Sequence, residues 1–142
     1  MIQSENLYIT QSNELLQKLF PICRSITGNG VRESFAIIRD YAPEFQIIEY
    51  PSGKQVFDWT IPKEWNINDA YIKDSEGNRI IDFQKSNLHL MSYSIPFHKK
   101  ISFDELKSHL YTLPKLPDAI PYRTSYYKED WGFCLTQNQF DS

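Results

Sequence analysis

The sequence predicts an α+β fold: two helices, then mostly strands with one short helix among them. Three observations carry this. Apolar residues recur at helical spacing over residues 10–20 and again over 31–42. From about Phe45 the period shortens to that of strands. Turn residues then interrupt the chain, as in Pro51-Ser52-Gly53-Lys54 and Asp74-Ser75-Glu76-Gly77-Asn78.

The first helix is read over 10–20, with Leu15, Leu16, Leu19 and Phe20 as its apolar positions, Thr10 or Ser12 as its cap and Pro21 as its stop. A glycine-bearing loop follows, Cys23-Arg24-Ser25-Ile26-Thr27-Gly28-Asn29-Gly30. It opens a second helix with a stripe of Val31, Phe35, Ile38 and Ala42 that Pro43 ends. Free N–H groups at such a helix start suit an anion. Gln46–Tyr50 reads as a strand paired through the Pro51 turn with Gln55–Ile61, where Phe57, Trp59 and Ile61 alternate with Asp58 and Thr60. A second hairpin joins 70–73 to 79–83, with Gly77 supplying a positive φ. Residues 88–95 read as a strand. Ser102 and Glu105 match a capping box for a short helix. Residues 113–120, with two prolines, read as an extended connection, and 122–127 and 132–135 as two last strands.

The chain has 142 residues, of which 41% are hydrophobic and 23% charged. That is ordinary globular usage and excludes disorder and collagen-like repeats. Fifteen Lys and Arg against 18 Asp and Glu give a net charge of −3, which offers no support for a nucleic-acid surface. Nine Phe, nine Tyr and three Trp supply apolar bulk for a core. The start, Met-Ile-Gln-Ser-Glu-Asn, lacks the pattern of a secretory leader, and no apolar run approaches a membrane span. The expected compartment is the cytoplasm, with Cys23 and Cys134 read as free and buried thiols rather than a disulfide.

Candidate chemistry is sparse. His89, His98 and His109 share no short ligand spacing, and neither cysteine belongs to a Cys-x-x-Cys pair. His89 is expected to be a hydrogen-bonded structural group, and the two lysines beside His98 oppose a cation. The elbow Gly-x-Ser-x-Gly is absent, and Cys134 between Phe133 and Leu135 is expected to be inert. Asp74/Glu76 fall at a hairpin tip and Asp104/Glu105 at a helix cap. Thr27-Gly28-Asn29-Gly30 lacks the Lys-Ser/Thr of a P-loop and follows a helix, so it reads as a helix entry or, with Arg24 as a fixed charge, a substrate-lining loop. The aromatics Tyr122, Tyr126, Tyr127, Trp131 and Phe133 read first as core and second as a stacking surface for a sugar or peptide.

Several blocks are familiar in sequence. They are Leu19-Phe20-Pro21-Ile22-Cys23-Arg24-Ser25-Ile26-Thr27-Gly28-Asn29-Gly30-Val31-Arg32, Val56-Phe57-Asp58-Trp59-Thr60-Ile61-Pro62-Lys63-Glu64-Trp65, and Ser86-Asn87-Leu88-His89. Pro117-Asp118-Ala119-Ile120-Pro121-Tyr122, Thr124-Ser125-Tyr126-Tyr127-Lys128 and Trp131-Gly132-Phe133-Cys134-Leu135 follow in order. Together they resemble the N-terminal part of a bacterial family of aminopeptidase-like proteins.

The resemblance implies an α/β zinc-exopeptidase-like domain, incomplete in this chain and interrupted by a small β-rich inserted domain of unknown function. It implies residues 1–55 as the leading helices and first strand, 56–131 as the inserted domain, and 132–142 as the return segment. It implies zinc in the longer family members, with ligand motifs beyond the Trp-Gly-Phe-Cys block, and none bound by this chain. The function it implies is an N-terminal fragment of a metallo-aminopeptidase-like hydrolase, inactive alone and carrying no catalytic residue. Arg24 and Thr27 are expected to line the cleft, Arg24 near a substrate carboxylate, and Tyr126 and Trp131 to shape its wall. The expected partners are the missing C-terminal catalytic portion and a homo-oligomer, with no nucleic acid and no membrane. The alternative is a non-enzymatic β-rich module that binds a sugar, a peptide or a partner subunit.

Overall fold

A computed structural model describes residues 2–126 and 128–142. The chain is α+β, and its contacts divide it into two compact units, the first ending at Asn66 and the second beginning at Ile67. The expected divisions at 55 and 131 concern which residues are catalytic and which inserted, whereas these units concern packing alone.

The first unit holds helices α1 (Ile2–Leu19) and α2 (Asn29–Tyr41), then strands β1 (Gln55–Val56) and β2 (Trp59–Thr60). Helix α1 begins eight residues before the expected start, so Thr10 and Ser12 lie inside it rather than at its cap. Leu15 and Leu19 are half-buried on α1 and Val31, Phe35 and Ile38 on α2, which leaves a narrow apolar seam. Phe35 packs on Phe45, just past α2, with ring centroids 5.3 Å apart.

The expected strand over 55–61 is itself a hairpin. Gln55 pairs with Thr60 and Val56 with Trp59, and Phe57 and Asp58 form the turn. Phe57 sits at φ 54°, a conformation that side chains beyond glycine and asparagine rarely take. The Gln55 side chain holds the turn, donating to the Phe57 carbonyl at 2.9 Å and accepting from the Thr60 hydroxyl at 2.8 Å. The outer rung joins Lys54 to Ile61, so Gln46–Tyr50 loses its expected partner and forms no strand among the described residues.

The second unit holds β3 (Tyr71–Lys73) and β4 (Arg79–Asp82), helix α3 (Phe103–Lys107), β5 (Leu110–Tyr111), β6 (Phe133–Cys134) and helix α4 (Gln137–Asp141). The β3–β4 hairpin forms as expected. Asp74 Oδ1 accepts from the Glu76 and Asn78 amides, and Gly77 takes φ 92°. The Ser102–Glu105 capping box opens α3. Strand β5 pairs parallel with β6.

Residues 88–95 are not one strand. A 3-10 turn at Asn87–His89 gives way to single bridges from Leu90 to Phe133 and from Ser92 to Thr124, and Tyr93 turns the chain at φ 67°. The stretch 113–120 folds into successive turns closed by Leu116 N–H to Leu113 O and Ala119 N–H to Leu116 O. The expected strand 122–127 is reduced to the Thr124 bridge, and Tyr127 lies outside the described residues.

The hydrophobic core lies in the second unit. Ile81, Met91, Tyr93, Cys134 and Leu135 are buried there, as is Pro121. Over residues 7–66, whose burial is described, only Gly28 and Ser34 are buried in the first unit, while Phe20 is 86% and Phe57 96% exposed.

Candidate functional site

The loop between α1 and α2 is held from three sides. Arg24 donates through Nη1 to the Leu19 carbonyl, so its charge sits at the C-terminal end of α1, where a cation is favourable. Thr27 is half-buried beside Gly28, the residue before α2. Gly28 has φ 103°, and a Cβ there would meet the Trp65 carbonyl oxygen at 2.3 Å. Only glycine fits this crossing of the loop and the 65–66 segment.

The amide at the start of α2 is already engaged. Asn66 Oδ1 accepts from Asn29 N–H at 2.7 Å, which is a cap supplied from 37 residues downstream. The expected anion site at this terminus therefore has a side-chain oxygen in it. Beside it Arg32 pairs with both carboxylate oxygens of Glu64 and with Glu49 Oε1 at 2.9 Å, and Nη1 reaches Asn29 Oδ1 at 3.2 Å. The hydrogen bond to Arg32 holds the Glu64 carboxyl below its ordinary value. All these side chains are exposed, so the cluster orients the loop more than it stabilises it.

In the second unit the aromatic residues form a stack. Phe97 and His109 lie on opposite ends of a short column with Trp131. Phe97 is 3.9 Å from the Trp131 ring and His109 3.8 Å, each tilted by 13°. Phe133 meets the indole edge-on at 6.5 Å, and Lys99 Nζ lies over the Phe97 ring at 5.8 Å. His109 Nδ1 is 2.8 Å from the Trp131 carbonyl. A carbonyl only accepts, so Nδ1 carries the proton. Asp130 Oδ1 is 3.7 Å from the same nitrogen and accepts from the Trp131 amide at 2.8 Å.

This column sets what Trp131 offers a ligand. With both rings stacked against it, the indole presents an edge rather than a broad face. Tyr126 differs: it is 71% exposed at φ 51°, and its amide donates to Thr124 Oγ1 at 3.2 Å. Arg24 and Thr27 share the loop of the first unit, and Tyr126 and Trp131 belong to the second.

Some of the remaining groups of metal-ligating type have structural partners. His89 is buried, as expected, and its Nδ1 donates to the Cys134 carbonyl at 2.7 Å. His98 is exposed beside Lys99 and Lys100. Cys134 is wholly buried, and burial pushes its thiol up to about 11, so it stays protonated at neutral pH. Cys23 is half-buried, and burial raises its thiol as well. Among the described residues, no three His, Cys, Asp or Glu side chains converge as a metal requires. Arg79 is likewise committed within the β3–β4 hairpin, to Asp69 at 2.7 Å, to Asp82 at 3.1 Å and over the Tyr71 ring at 4.0 Å.

Sequence reasoning missed Phe97, His109, Arg32, Glu64 and Asn66. The stack joins residues 12 and 22 positions apart through an irregular segment, which no periodicity reports. Arg32 and Glu64 did stand within the resembling blocks, and opposite charges there were the available signal.

Residues 64–142 match a family described as "Domain of unknown function (DUF2172)". This chain belongs to that family. The DUF2172 chain is also 58% identical to a Clostridium acetobutylicum protein named "Putative polysaccharide biosynthesis protein with aminopeptidase-like domain". That match covers 96% of this chain and 33% of the relative. A crystal structure of a "putative peptidase" from Clostridium acetobutylicum superposes with a TM-score of 0.87 at 56% identity, over 100% of this chain and 35% of that one. The aminopeptidase-like resemblance read from the sequence blocks is borne out. The DUF2172 chain spans about a third of the length of these relatives. Among its described residues, no helix is long and apolar enough to cross a membrane.

Proposed function

We propose that this chain is the N-terminal, non-catalytic part of a metal-dependent aminopeptidase-like hydrolase of the cytoplasm. The observation that carries the reading is the superposition on about a third of a chain described as a "putative peptidase", at 56% identity. The apolar surface supports it. A first unit with no buried apolar side chain over residues 7–66 is a folded lead-in, not a self-sufficient domain. Zinc belongs to the longer protein in this reading, because no three such donors converge among the described residues here. A metal held there would supply a Lewis acid and an activated water. Arg24 and Thr27 remain proposed substrate-lining residues of the first unit and Tyr126 and Trp131 of the second, each pair taken by itself, with Arg24 and Trp131 contributing through the shape of their loops.

The test compares two proteins, this 142-residue chain and the same sequence joined to the rest of the Clostridium acetobutylicum relative. Release of an N-terminal residue from short peptides and bound zinc are both measured. Turnover and zinc in the longer protein alone support the reading. Turnover by the 142-residue chain unaided contradicts it.

A second reading is a binding module, favoured by Tyr122 at 67% and Tyr126 at 71% exposure on either side of Arg123. Side-chain shifts of these tyrosines on adding oligosaccharides or peptides test it.

A further inference from the structure

We infer that Asn29-Gly30, at the start of α2, is a self-modifying site: the Gly30 amide nitrogen closes on the Asn29 side chain, at a rate set by the Asn66 cap. Asn29 alone among the asparagines precedes a glycine. Glycine has no Cβ, so its amide nitrogen is the least hindered nucleophile a following residue can offer. The fold enforces that neighbour. A Cβ at residue 30 would collide with the Cys23 carbonyl oxygen, so only glycine fits there.

The reacting groups are in place. Asn29 is exposed, so water reaches it. Its Oδ1 accepts from Arg32 Nη1 at 3.2 Å, which draws electron density from Cγ and stabilises the oxygen as it takes up charge. The Val31 and Arg32 N–H groups turn back to the Gly28 carbonyl at 3.2 and 3.4 Å, whereas the Gly30 N–H has no oxygen partner among the described residues. Losing that hydrogen costs the helix no bond. Ser34 Oγ donates to the Gly30 carbonyl at 2.7 Å and anchors the glycine from its other side.

The step balances with water alone. The Gly30 nitrogen attacks Asn29 Cγ and a C–N bond forms. The Cγ–Nδ2 bond breaks, and Nδ2 leaves as ammonia with the proton that Gly30 gives up. Water then opens the imide ring at either carbonyl. One opening puts aspartate at position 29, beside Arg32 and at a helix start, where negative charge is favourable. The other gives isoaspartate, which adds a carbon to the main chain at the entry to α2. Ring closure requires Asn29 to leave its helical dihedral angles. Asn66 Oδ1 opposes that departure by holding the Asn29 amide at 2.7 Å.

The test ages the 142-residue chain at neutral pH, with and without urea, and follows the tryptic peptide Ser25–Arg32 by mass. Asn29 is the only amide side chain in that peptide. The amide-to-acid mass gain is expected there ahead of every other asparagine-bearing peptide, and more slowly in the native chain than in urea. Asn66→Ala is expected to speed the native conversion about fivefold, the usual worth of a helix cap, and to leave the rate in urea unchanged. Asn66→Asp keeps an acceptor oxygen and is expected to hold the parent's native rate. Asn29→Gln, which must close a larger ring, is expected to stop the conversion. Isoaspartate and aspartate are both expected in the product. Aspartate alone means direct hydrolysis by water and overturns the proposal. So does conversion in urea only, or conversion equally fast with and without urea. A native rate unchanged in Asn66→Ala also overturns it. Should Asn66→Ala unfold, a native rate in Asn66→Asp that rises to the rate in urea does the same.

Discussion

Replacing Trp131 by alanine measures whether the aromatic column is part of the architecture. The indole lies 3.9 Å from Phe97 and 3.8 Å from His109, both nearly parallel to it. Each such pair contributes about 1 kcal/mol beyond its buried area, so the two together contribute about 2 kcal/mol. Loss of the half-buried indole surface adds on the order of 1 kcal/mol. The expected loss is about 3 kcal/mol, which speeds exchange through global opening by roughly a hundredfold. The reporting amides are Met91, bonded to the Gly132 carbonyl at 3.1 Å, and Leu135, bonded to Tyr111 at 3.1 Å. Both residues are in the core, so their exchange reports the second unit whatever the first unit does. Phe97→Leu and His109→Gln each break one face and are expected to cost about 1 kcal/mol. A change below about 0.5 kcal/mol for Trp131→Ala refutes the structural role of the column.

Other expectations concern single residues. Burial raises the Cys134 thiol from 9.0 to about 11. Above its unfolded value the unfolded chain releases this proton and the folded chain keeps it. The stabilisation is therefore complete below pH 9 and is lost toward pH 11, at most about 1.4 kcal/mol per pH unit. Exchange measured from pH 8 to 11 is expected to show this fall, and Cys134→Ala to flatten it. Asn66→Ala removes the cap on Asn29 and is expected to cost about 1 kcal/mol, read as faster exchange in the first turn of α2. Gly28→Ala places a Cβ 2.3 Å from the Trp65 oxygen at φ 103° and is expected to cost at least about 2 kcal/mol. Far-ultraviolet circular dichroism of helix content checks it, and an unchanged spectrum and melt would count against that crossing.

Legibility in the sequence followed the locality of the cause. The β3–β4 hairpin and helix α3 are set within five or six residues, by Asp74 with Gly77 and by Ser102 with Glu105, and both appear as read. Thr136 and Gln139 form the same capping box and open α4, a signal present in the sequence and overlooked there. The 55–61 hairpin escaped notice because its turn contains neither glycine nor asparagine. Phe57 takes the positive φ, and Gln55 supplies the bonds that hold it. The 88–95 strand failed because Tyr93 breaks the extended run and its bonds go to Arg123 and Gly132, over 30 residues away. The loop site was half legible. Glycine at 28 and 30 marked a tight entry, but the capping oxygen comes from Asn66 and the Arg24 charge goes to Leu19.

The central claim is that this chain carries apolar surface which another part of a longer protein covers. Sedimentation velocity of the isolated 142-residue chain across a concentration series tests it most directly. Self-association is expected to grow with concentration and to disappear when the chain is joined to the remaining two thirds. A monodisperse monomer that melts in a single cooperative step would contradict it.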